Sequence, residues 1–370
     1  MAKARKPLED PRLVEARQTW RRGGPHDAVD GASYVLYWMQ RSQRAEDNHA
    51  LEAAVALANE LGVGLLVVFG LMDDYPEANL RHYRFMAEGL RDVRQALAKR
   101  RIPFVVLRAH PVDAALEAAA DACLLVCDRG YLRHLRQWRE RVAREAPCPV
   151  LEVETDVIVP VEAASDKREY AARTIRPKLQ KRFDAFCALP EPQPVAKPLR
   201  KAPLEGLDVR DPAALCARLK LDRSVGEVSR FFEGGSVEAR RRLREFLDER
   251  LDVYSDHRNQ AQTDDTTHTS AHLHFGQISP IRIAVEALDA ARAVTAARQG
   301  NLFSDQADDP RGRRRKVVAD LIEELMVRRE LAFNYVWYEP HYDRFDALPD
   351  WARQTRSEEH TSELQSPLCI

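Results

Sequence analysis

The pattern of hydrophobic and polar residues changes character about halfway along the chain. From Tyr34 to about Val159, short apolar runs rich in β-branched residues alternate with stretches whose apolar residues recur at helical spacing. The runs predict five strands, SYVLYW, GLLVVFGL, PFVVL, CLLVCD and PVLEVE, with helices near 46–61, 79–100, 111–120 and 131–145. Near-continuous apolar strands separated by helices are typical of a parallel sheet covered on both faces. The first half is therefore predicted to be a Rossmann-like α/β domain.

The rest of the chain has the periodicity of helices. Residues 191–207, EPQPVAKPLRKAPLEGL, are rich in proline and predict a semi-extended linker. Beyond them, EARRRLREFLDERLDVYSDHRNQ carries an apolar stripe at helical spacing, made of Leu243, Phe246, Leu247 and Leu251. Two further helical stretches follow, ISPIRIAVEALDAARAV and RRKVVADLIEELMVRRELAFNYVWY. We therefore expect an all-helical second domain.

The last fifteen residues, RSEEHTSELQSPLCI, break this pattern abruptly. RSEEHTSELQS is what one reading frame of a common sequencing-library adapter encodes, so we interpret residues 356–370 as a foreign tail outside the fold. The natural protein is then expected to continue past Thr355. The alternative is a genuine polar tail.

Composition indicates a soluble globular protein. The 370 residues, 45% of them hydrophobic and 31% charged, suffice for a core without disulfide or metal staples. No run approaches the roughly eighteen apolar residues of a membrane helix, and the basic N-terminus lacks the features of a secretory signal. The six cysteines show no paired or metal-site spacing. We expect a cytoplasmic monomer with reduced cysteines, no bound metal, no membrane contact and no obligate protein partner.

The formal net charge of -1 conceals two basic clusters. Residues 240–244 contain four arginines, and residues 311–316 contain four arginines and a lysine. A solvated helix face and a phosphate-binding stripe both fit such runs.

The α/β half lacks the signature of a nicotinamide dehydrogenase. After its first strand comes YWMQRSQRAEDNHAL, where a dinucleotide-binding turn would carry the glycines of GxGxxG. A plain dehydrogenase is therefore disfavoured.

Candidate chemistry lies in the helical half instead. Tyr254 and Arg258 are four residues apart at the end of a predicted helix, so they share a face. The segment TDDTTHTSAHLHFGQIS follows, with hydroxyls at a loop-to-helix junction that belong to Thr266, Thr267, Thr269 and Ser270. Such hydroxyls cap free amide groups, or help a helix N-terminus to bind a diphosphate. The residues alone leave both roles open.

Glu324 is the candidate carboxylate. In VVADLIEELMVRREL it falls beside an apolar stripe formed by Val318, Leu321, Leu325 and Ala332. It is either a border residue paired with Arg328, four positions on, or a buried group in a ligand cavity, where desolvation raises its pKa. Position alone does not decide between them.

Taken together, these motifs resemble one family. YSDHRN, the hydroxyl-rich turn, LHFGQIS and EELMVRRELAFNYVWYEPHYD form an ordered set that closely resembles the DNA photolyases of the cryptochrome/photolyase family, specifically the class II cyclobutane pyrimidine dimer photolyases. VLYWMQRSQRAEDNHAL, NLRHYRFMAEGLRDV and SDKREYAARTIRPKL resemble that family's antenna-domain start, second helix and interdomain connection. The resemblance covers residues 30 to 355.

The resemblance implies a deoxyribodipyrimidine photo-lyase, a carbon-carbon lyase that repairs damaged DNA in blue light. Reduced FAD would donate an electron to a flipped-out pyrimidine dimer, and the first domain would hold an antenna chromophore, folate or deazaflavin. Carried over residue by residue, FAD binding falls to Tyr254, Thr267, His268, Thr269 and Ser270. DNA contact falls to Arg258 and Arg328. Glu324 would be catalytic, hydrogen-bonded to the carbonyl edge of the dimer.

The chain departs from the family pattern in places. Ala271 and His272 replace a proline and a tyrosine of LSPYLHFG, and Phe333 stands where many members have an aspartate. The asparagine that faces flavin N5 and the tryptophan relay would lie beyond Thr355. A cryptochrome-like photoreceptor and an inactive fragment therefore stay open as alternatives.

On this reading the chain divides into five segments. They are an N-terminal extension (1–30), an α/β antenna domain (31–160), an interdomain linker (161–207), an incomplete helical FAD-binding domain (208–355) and the artefactual tail (356–370).

Overall fold

All five predicted strands and the four helices between them form. The computed structural model describes residues 17–293 and 310–359. The strands are β1 (Gln18–Arg22), β2 (Tyr34–Trp38), β3 (Gly64–Gly70), β4 (Phe104–Leu107), β5 (Ala122–Asp128) and β6 (Val150–Val153). Their order in the sheet is β1-β6-β5-β2-β3-β4. β1 is antiparallel to β6 and the other neighbours are parallel, so the predicted parallel α/β fold is confirmed.

β1 was not predicted. It lies inside residues 1–30, the segment expected to be an N-terminal extension, and it pairs with β6. Its sequence, QTWRR, is polar because the strand forms the edge of the sheet and is only half-buried.

The helices of this half cover both faces of the sheet. They are α1 (His49–Glu60), α2 (Leu80–Lys99), α3 (Pro111–Ala119) and α4 (Arg133–Glu145). Successive residues of β2 pack into opposite cores, Val35 and Tyr37 into one and Leu36 and Trp38 into the other. This two-sided burial explains why the central strands read as continuous apolar runs.

The segment predicted as a linker is packed at both of its ends. α5 (Val161–Ala164) and α6 (Ala172–Phe186) lie in its first part. α6 buries Ile175 and Phe183 in the core of the helical half. The proline-rich part is extended, as predicted, but it runs back over the sheet, where the Leu207 amide donates to the Val106 carbonyl oxygen at 2.7 Å. Residues 161–207 are therefore not a free linker, and their end covers the β4 edge.

Helices make up the remainder of the described chain. The α-helices are α7 (Pro212–Ala217), α8 (Ser236–Glu245), α9 (Tyr254–His257), α10 (Ser270–His274), α11 (Pro280–Ala293), α12 (Pro310–Ile322), α13 (Arg329–Tyr338) and α14 (Asp350–Glu359). Short 3-10 helices lie at Pro25–Asp27, Leu251–Val253 and Phe345–Ala347. A π-turn at Phe246–Arg250 follows α8, and a second π-turn at Glu323–Arg328 joins α12 to α13. The stripe predicted from Leu243 to Leu251 is buried, as expected.

The two halves meet through buried polar contacts. The Arg44 guanidinium donates to the carbonyl oxygens of Thr155, at 2.7 Å, and Gly276, at 3.0 Å. Gly276 has a φ of +67°, and a Cβ there would lie 2.2 Å from the Arg41 carbonyl oxygen. Only glycine permits this close approach of the loop after β2 to the helical half.

The described cysteines, at 123, 127, 148, 187 and 216, are buried and unbridged, in agreement with the prediction, and Cys369 lies outside the described residues. Across 17–293 and 310–359, none of the helices combines the length and apolar character needed to cross a membrane.

Candidate functional site

Tyr254, Arg258 and Glu324 come together in the helical half. Arg258 Nη1 donates to Glu324 Oε1 at 2.8 Å, and the guanidinium carbon lies 5.9 Å from the centroid of the Tyr254 ring. Tyr254 is buried and packs edge-on against Phe246, with ring centroids 5.5 Å apart. The predicted shared face of Tyr254 and Arg258 is present, and it points towards the second π-turn. We call these three residues the 254–258–324 cluster.

The second π-turn decides which glutamate Arg258 meets. Arg176 donates two hydrogen bonds to Glu323, at 2.6 and 3.0 Å, and Arg328 Nε lies 3.6 Å from the same carboxylate. Glu323 is therefore the partner of Arg328, and the alternative pairing of Glu324 with Arg328 does not form. A π-turn inside a long helix frequently marks a functional site, because it redirects side chains that a regular helix would align.

Glu324 is less buried than its proposed role suggests. Its side chain is 44% exposed, so of the two alternatives the structure shows an ion-paired border residue and not a desolvated carboxylate. The carboxylate of this helical segment that is buried belongs to Glu330 on α13, and burial raises the pKa of Glu330 to about 8. Glu330 accepts hydrogen bonds from the Ile158 and Val159 amides and so joins α13 to the segment after β6.

The hydroxyl-rich segment leads into α10, as predicted. The hydroxyl oxygens of Thr267 and Thr269 share a hydrogen bond of 2.9 Å. Thr269 is the N-cap residue, but its side chain caps no helix amide, and Ser270 is exposed. His268, between Thr267 and Thr269, has a φ of +49°, and the centroid of its ring lies 6.4 Å from that of Phe232. The simple capping role is therefore not used by Thr269.

The same segment is tied to the helix that carries Tyr254. His257 Nδ1 lies 2.6 Å from a carboxylate oxygen of Asp265, and Thr263 donates to the His257 carbonyl oxygen at 3.0 Å. Arg258 Nε is a buried donor with no partner among the described residues. An unpaired buried donor beside an aromatic ring, with a row of hydroxyls nearby, fits a ligand that has a ring system and a diphosphate.

Much of the charge in the two basic clusters is compensated. Arg240 pairs with Glu46 and Asp47, and Arg241 and Arg242 both pair with Glu238. In the other cluster, Arg313 pairs with Asp256 at 3.1 Å and Arg314 with Asp252 at 3.3 Å. These contacts favour the solvated helix face over the phosphate-binding stripe.

A cavity of about 730 Å³ lies between the two halves, and the sequence did not point to it. The α/β half contributes the loop after β2, the end of β3 and part of α4, including Gln43, Phe69 and Trp138. The helical half contributes residues of α10 and α13, among them Ser270 and Phe333. Ligands of open parallel sheets bind at this carboxyl-terminal edge of the strands. We call this space the interdomain cavity.

Two arginines that line the cavity, Arg41 and Arg329, share a buried acidic partner behind it. Asp156 accepts hydrogen bonds from Arg41 at 2.8 Å and from Arg329 at 2.7 Å. Burial would raise the pKa of Asp156, but the two guanidinium groups hold it below its usual range. Two cations facing one anion leave a local net positive charge beside the cavity.

Aromatic side chains line the remainder and its mouth. The Tyr75 hydroxyl lies 2.9 Å from His134 Nε2, and the His134 ring packs edge-on against Trp138 at 5.1 Å. Tyr131 packs edge-on against Phe333 across the domain boundary, with centroids 4.7 Å apart. These surfaces suit a flat aromatic ligand.

Known proteins resemble this chain along most of its length. The family profile described as DNA photolyase matches residues 35–198. A protein named deoxyribodipyrimidine photo-lyase from Methanothermobacter thermautotrophicus is 39% identical over 324 residues, covering 87% of this chain and 66% of the relative. Proteins of the same name from Potorous tridactylus and Arabidopsis thaliana are each 33% identical, with 58% and 62% of their lengths covered. The chain thus spans roughly three fifths to two thirds of these relatives.

Solved structures share the fold. A bacterial class III photolyase from Agrobacterium tumefaciens superposes with a TM-score of 0.59 at 16% identity, covering 89% of this chain and 66% of that one. A cryptochrome from Synechocystis superposes with a TM-score of 0.61 at 14% identity, covering 83% and 61%. At this identity the likeness extends to the fold alone.

Proposed function

Because the chain belongs to the DNA photolyase family, we propose that the protein repairs cyclobutane pyrimidine dimers in DNA by light-driven electron transfer from bound flavin. The names of the relatives support photo-lyase activity. The observation that carries the proposal is the 254–258–324 cluster, which brings together three residues from motifs that lie far apart in the chain. Assignment to class II is part of the proposal and rests on the motifs.

FAD is the cofactor in this proposal. When bound and reduced, it supplies the electron that opens the cyclobutane ring in blue light. Tyr254 would offer the flavin an apolar ring surface, and Arg258 Nε an unpaired donor. The hydroxyls of Thr267 and Ser270 would donate to the diphosphate, with His268 and Thr269 shaping the turn between them.

Glu324 is the group assigned to the lesion. Its carboxyl is held in place by Arg258 yet remains 44% exposed, so it is accessible to an incoming base. A hydrogen bond between the Glu324 carboxyl group and a carbonyl oxygen of the dimer would stabilise the negative charge that develops there. Arg258 would then orient the carboxyl group before the dimer arrives.

Damaged DNA is the proposed partner. A dimer is poorly stacked, so flipping it out of the duplex costs less than flipping a normal base. Arg328, whose side chain is 58% exposed and only loosely paired, is well placed for phosphate contact. The two basic clusters are weaker candidates because most of their arginines already have acidic partners.

The interdomain cavity is the proposed place of the antenna chromophore, folate or deazaflavin. Its aromatic lining, its volume of about 730 Å³ and its position at the carboxyl ends of parallel strands support this assignment. Two cations facing Asp156 would favour a pigment with negative charge.

The test of the proposed function compares an oligonucleotide containing one thymine dimer with the same oligonucleotide undamaged. Binding is measured in the dark, and loss of the dimer is then followed under blue light with FAD and a reductant. Since the chain covers 66% of the Methanothermobacter relative, the assay is repeated with that relative's remaining segment appended. We expect selective binding of the dimer and light-dependent repair. Equal affinity for both oligonucleotides and no repair by either form would favour a photoreceptor and exclude the proposed enzyme.

A further inference from the structure

We propose that Gln43 selects the ligand of the interdomain cavity: its side-chain Oε1 accepts a hydrogen bond from the ring N–H at the cyclic amide edge of a fused aromatic ring. The inference rests on the proposed presence of a pigment in this cavity and adds the residue that recognises it. Pterins and deazaflavins share such an edge, with a ring N–H beside a ring carbonyl, so the recognition chemistry is common to both.

The first observation is an unsatisfied polar atom. Gln43 is 6% exposed, it lines the cavity, and its Oε1 has no hydrogen-bond partner among the described residues. A buried amide oxygen without a partner costs roughly 1 to 3 kcal/mol. Such a group in a rigid position indicates a partner that binds from outside the chain.

The second observation is that the rest of the segment is satisfied internally. The other polar side chains from residue 40 to residue 48 find partners within the protein, namely those of Gln40, Arg41, Ser42, Arg44, Glu46, Asp47 and Asn48. Gln43 stands out from this group in facing the cavity with an unpaired acceptor. In this segment only the side-chain amide of Gln43 therefore keeps an oxygen available to a ligand.

The third observation is that the backbone leading to Gln43 is held in place. Asp128 Oδ2 accepts hydrogen bonds from the amides of Gln40, Arg41 and Ser42, at 3.0, 2.8 and 2.8 Å. Its other oxygen accepts from Arg139 at 2.6 Å. The backbone just before Gln43 is thus wrapped around a buried carboxylate, and a group held in this way is already organised for binding.

The ligand's shape follows from the walls. Side chains of Phe69, Tyr131, Trp138 and Phe333 offer flat apolar surfaces, and Arg41 with Arg329 leaves a positive charge at one end. A planar fused ring would pack against the aromatic walls, and a ring N–H next to a carbonyl would donate to Gln43 Oε1.

The experiment measures pigment binding in the dark and without DNA, by fluorescence titration of the purified chain. The probes are 8-hydroxy-5-deazariboflavin and 5,10-methenyltetrahydrofolate, titrated separately, and the one that binds identifies the source of the ring. Gln43→Leu removes the amide at nearly constant volume and is expected to weaken binding about tenfold, the effect of one buried hydrogen bond. Gln137→Leu, on the exposed side of α4, is the matched control and should bind as the wild type does.

Two further measurements separate recognition from packing. A derivative of the bound pigment methylated at the ring N–H should bind wild type and Gln43→Leu equally, because the hydrogen bond is already lost. Ala332→Trp, which fills the cavity from α13, should abolish binding of either probe while the protein still unfolds cooperatively. Leu135→Trp fills it from α4 and gives the same test if Ala332→Trp does not fold.

The proposal is overturned if neither pigment binds the wild type, if Gln43→Leu binds the N–H pigment as tightly as the wild type does, or if Gln43→Leu weakens binding of the N–H pigment and of its N-methylated derivative equally. Failure of dimer repair together with Gln43-dependent binding would count against the proposed function alone. The two conclusions can therefore be separated.

Discussion

The Arg258 guanidinium donates a hydrogen bond of 2.8 Å to Glu324, although the two residues lie 66 positions apart in the chain. The contact crosses from the end of α9 to the second π-turn. It joins the motif YSDHRN to the motif EELMVRREL and so supplies the geometric core of the proposed lesion site.

Substitutions of Glu324 test the proposed lesion site directly. Glu324→Gln is expected to keep the fold and the flavin but to lower the repair quantum yield on a defined dimer, because the amide is a weaker donor. Glu324→Ala should lower the yield further. Since the side chain is 44% exposed, both changes should alter the free energy of unfolding by less than about 1 kcal/mol. Wild-type yield in both variants, with flavin content checked by absorbance, would place Glu324 outside the active site.

The hydroxyl-rich turn is tested by its flavin content. Replacing Thr267 and Ser270 together with alanine should give a folded protein that has lost most of its yellow colour, because two donors to the diphosphate are removed. Absorbance near 450 nm against protein concentration measures the effect. Ser224→Ala, in an exposed turn far along the chain, is the control and should retain flavin. Full flavin retention in the double variant contradicts the assignment.

The compensated arginines lead to a sharper expectation for DNA binding. Affinity for dimer-containing DNA should fall with rising salt, and Arg328→Ala should reduce the slope of log affinity against log salt by about 1, since one phosphate contact is lost. Arg241→Ala should leave the slope unchanged, because Arg241 is already paired with Glu238 and Glu245. If Arg241→Ala reduced the slope and Arg328→Ala left it unchanged, the basic cluster at 240–244 would contact the DNA phosphates instead.

Glu330 predicts a pH dependence of stability. Burial raises the pKa of Glu330 to about 8 in the folded protein, well above the value of about 4.3 expected in the unfolded chain. Between these values the folded state binds more protons than the unfolded state, so the contribution of Glu330 to stability is present below the lower pKa and is lost as the pH rises through 8. The slope from this group approaches at most about 1.4 kcal/mol per pH unit.

The measurement is chemical denaturation from pH 5 to pH 8. Glu330→Gln retains an acceptor for the Ile158 and Val159 amides but cannot titrate, so its stability should vary less with pH than that of the wild type. Identical pH profiles would show that Glu330 is not titrating in this range.

Substitution of Gly276 is expected to lower the stability of the contact between the two halves. Gly276→Ala combines a left-handed backbone with a Cβ 2.2 Å from the Arg41 carbonyl oxygen, so it should destabilise the protein by more than the roughly 1 kcal/mol of the backbone alone. Gly62→Ala is the matched control, because Gly62 has a φ of +64° but open space around its Cβ position. Thermal or urea unfolding measures both. Equal losses in the two variants would mean that the loop after β2 can move aside.

The local pattern of hydrophobic residues was sufficient to predict elements whose contacts lie close in sequence. The buried strands β2, β3 and β5 were predicted because burial on two faces gives a continuous apolar run, and the stripe from Leu243 to Leu251 because burial on one face of a helix gives a helical period. β1 was missed because an edge strand is half-exposed, and QTWRR has no such period. The packing of residues 191–207 over the sheet could not be predicted either, since the sequence of an extended segment does not show which element it packs against.

The amino-acid sequence by itself determined the α/β order of the first half, the helices of the second and the motifs from which the family was inferred. Tertiary structure alone decided that Arg258 meets Glu324, that Glu330 is the buried carboxylate, and that Gln43 faces a cavity with an unpaired oxygen. The physical reason is that periodicity reports how strongly a face is buried, whereas partner choice depends on how distant elements pack. The second π-turn shifts side chains around the helix axis, and only the packed structure shows which partners Glu323 and Glu324 then meet.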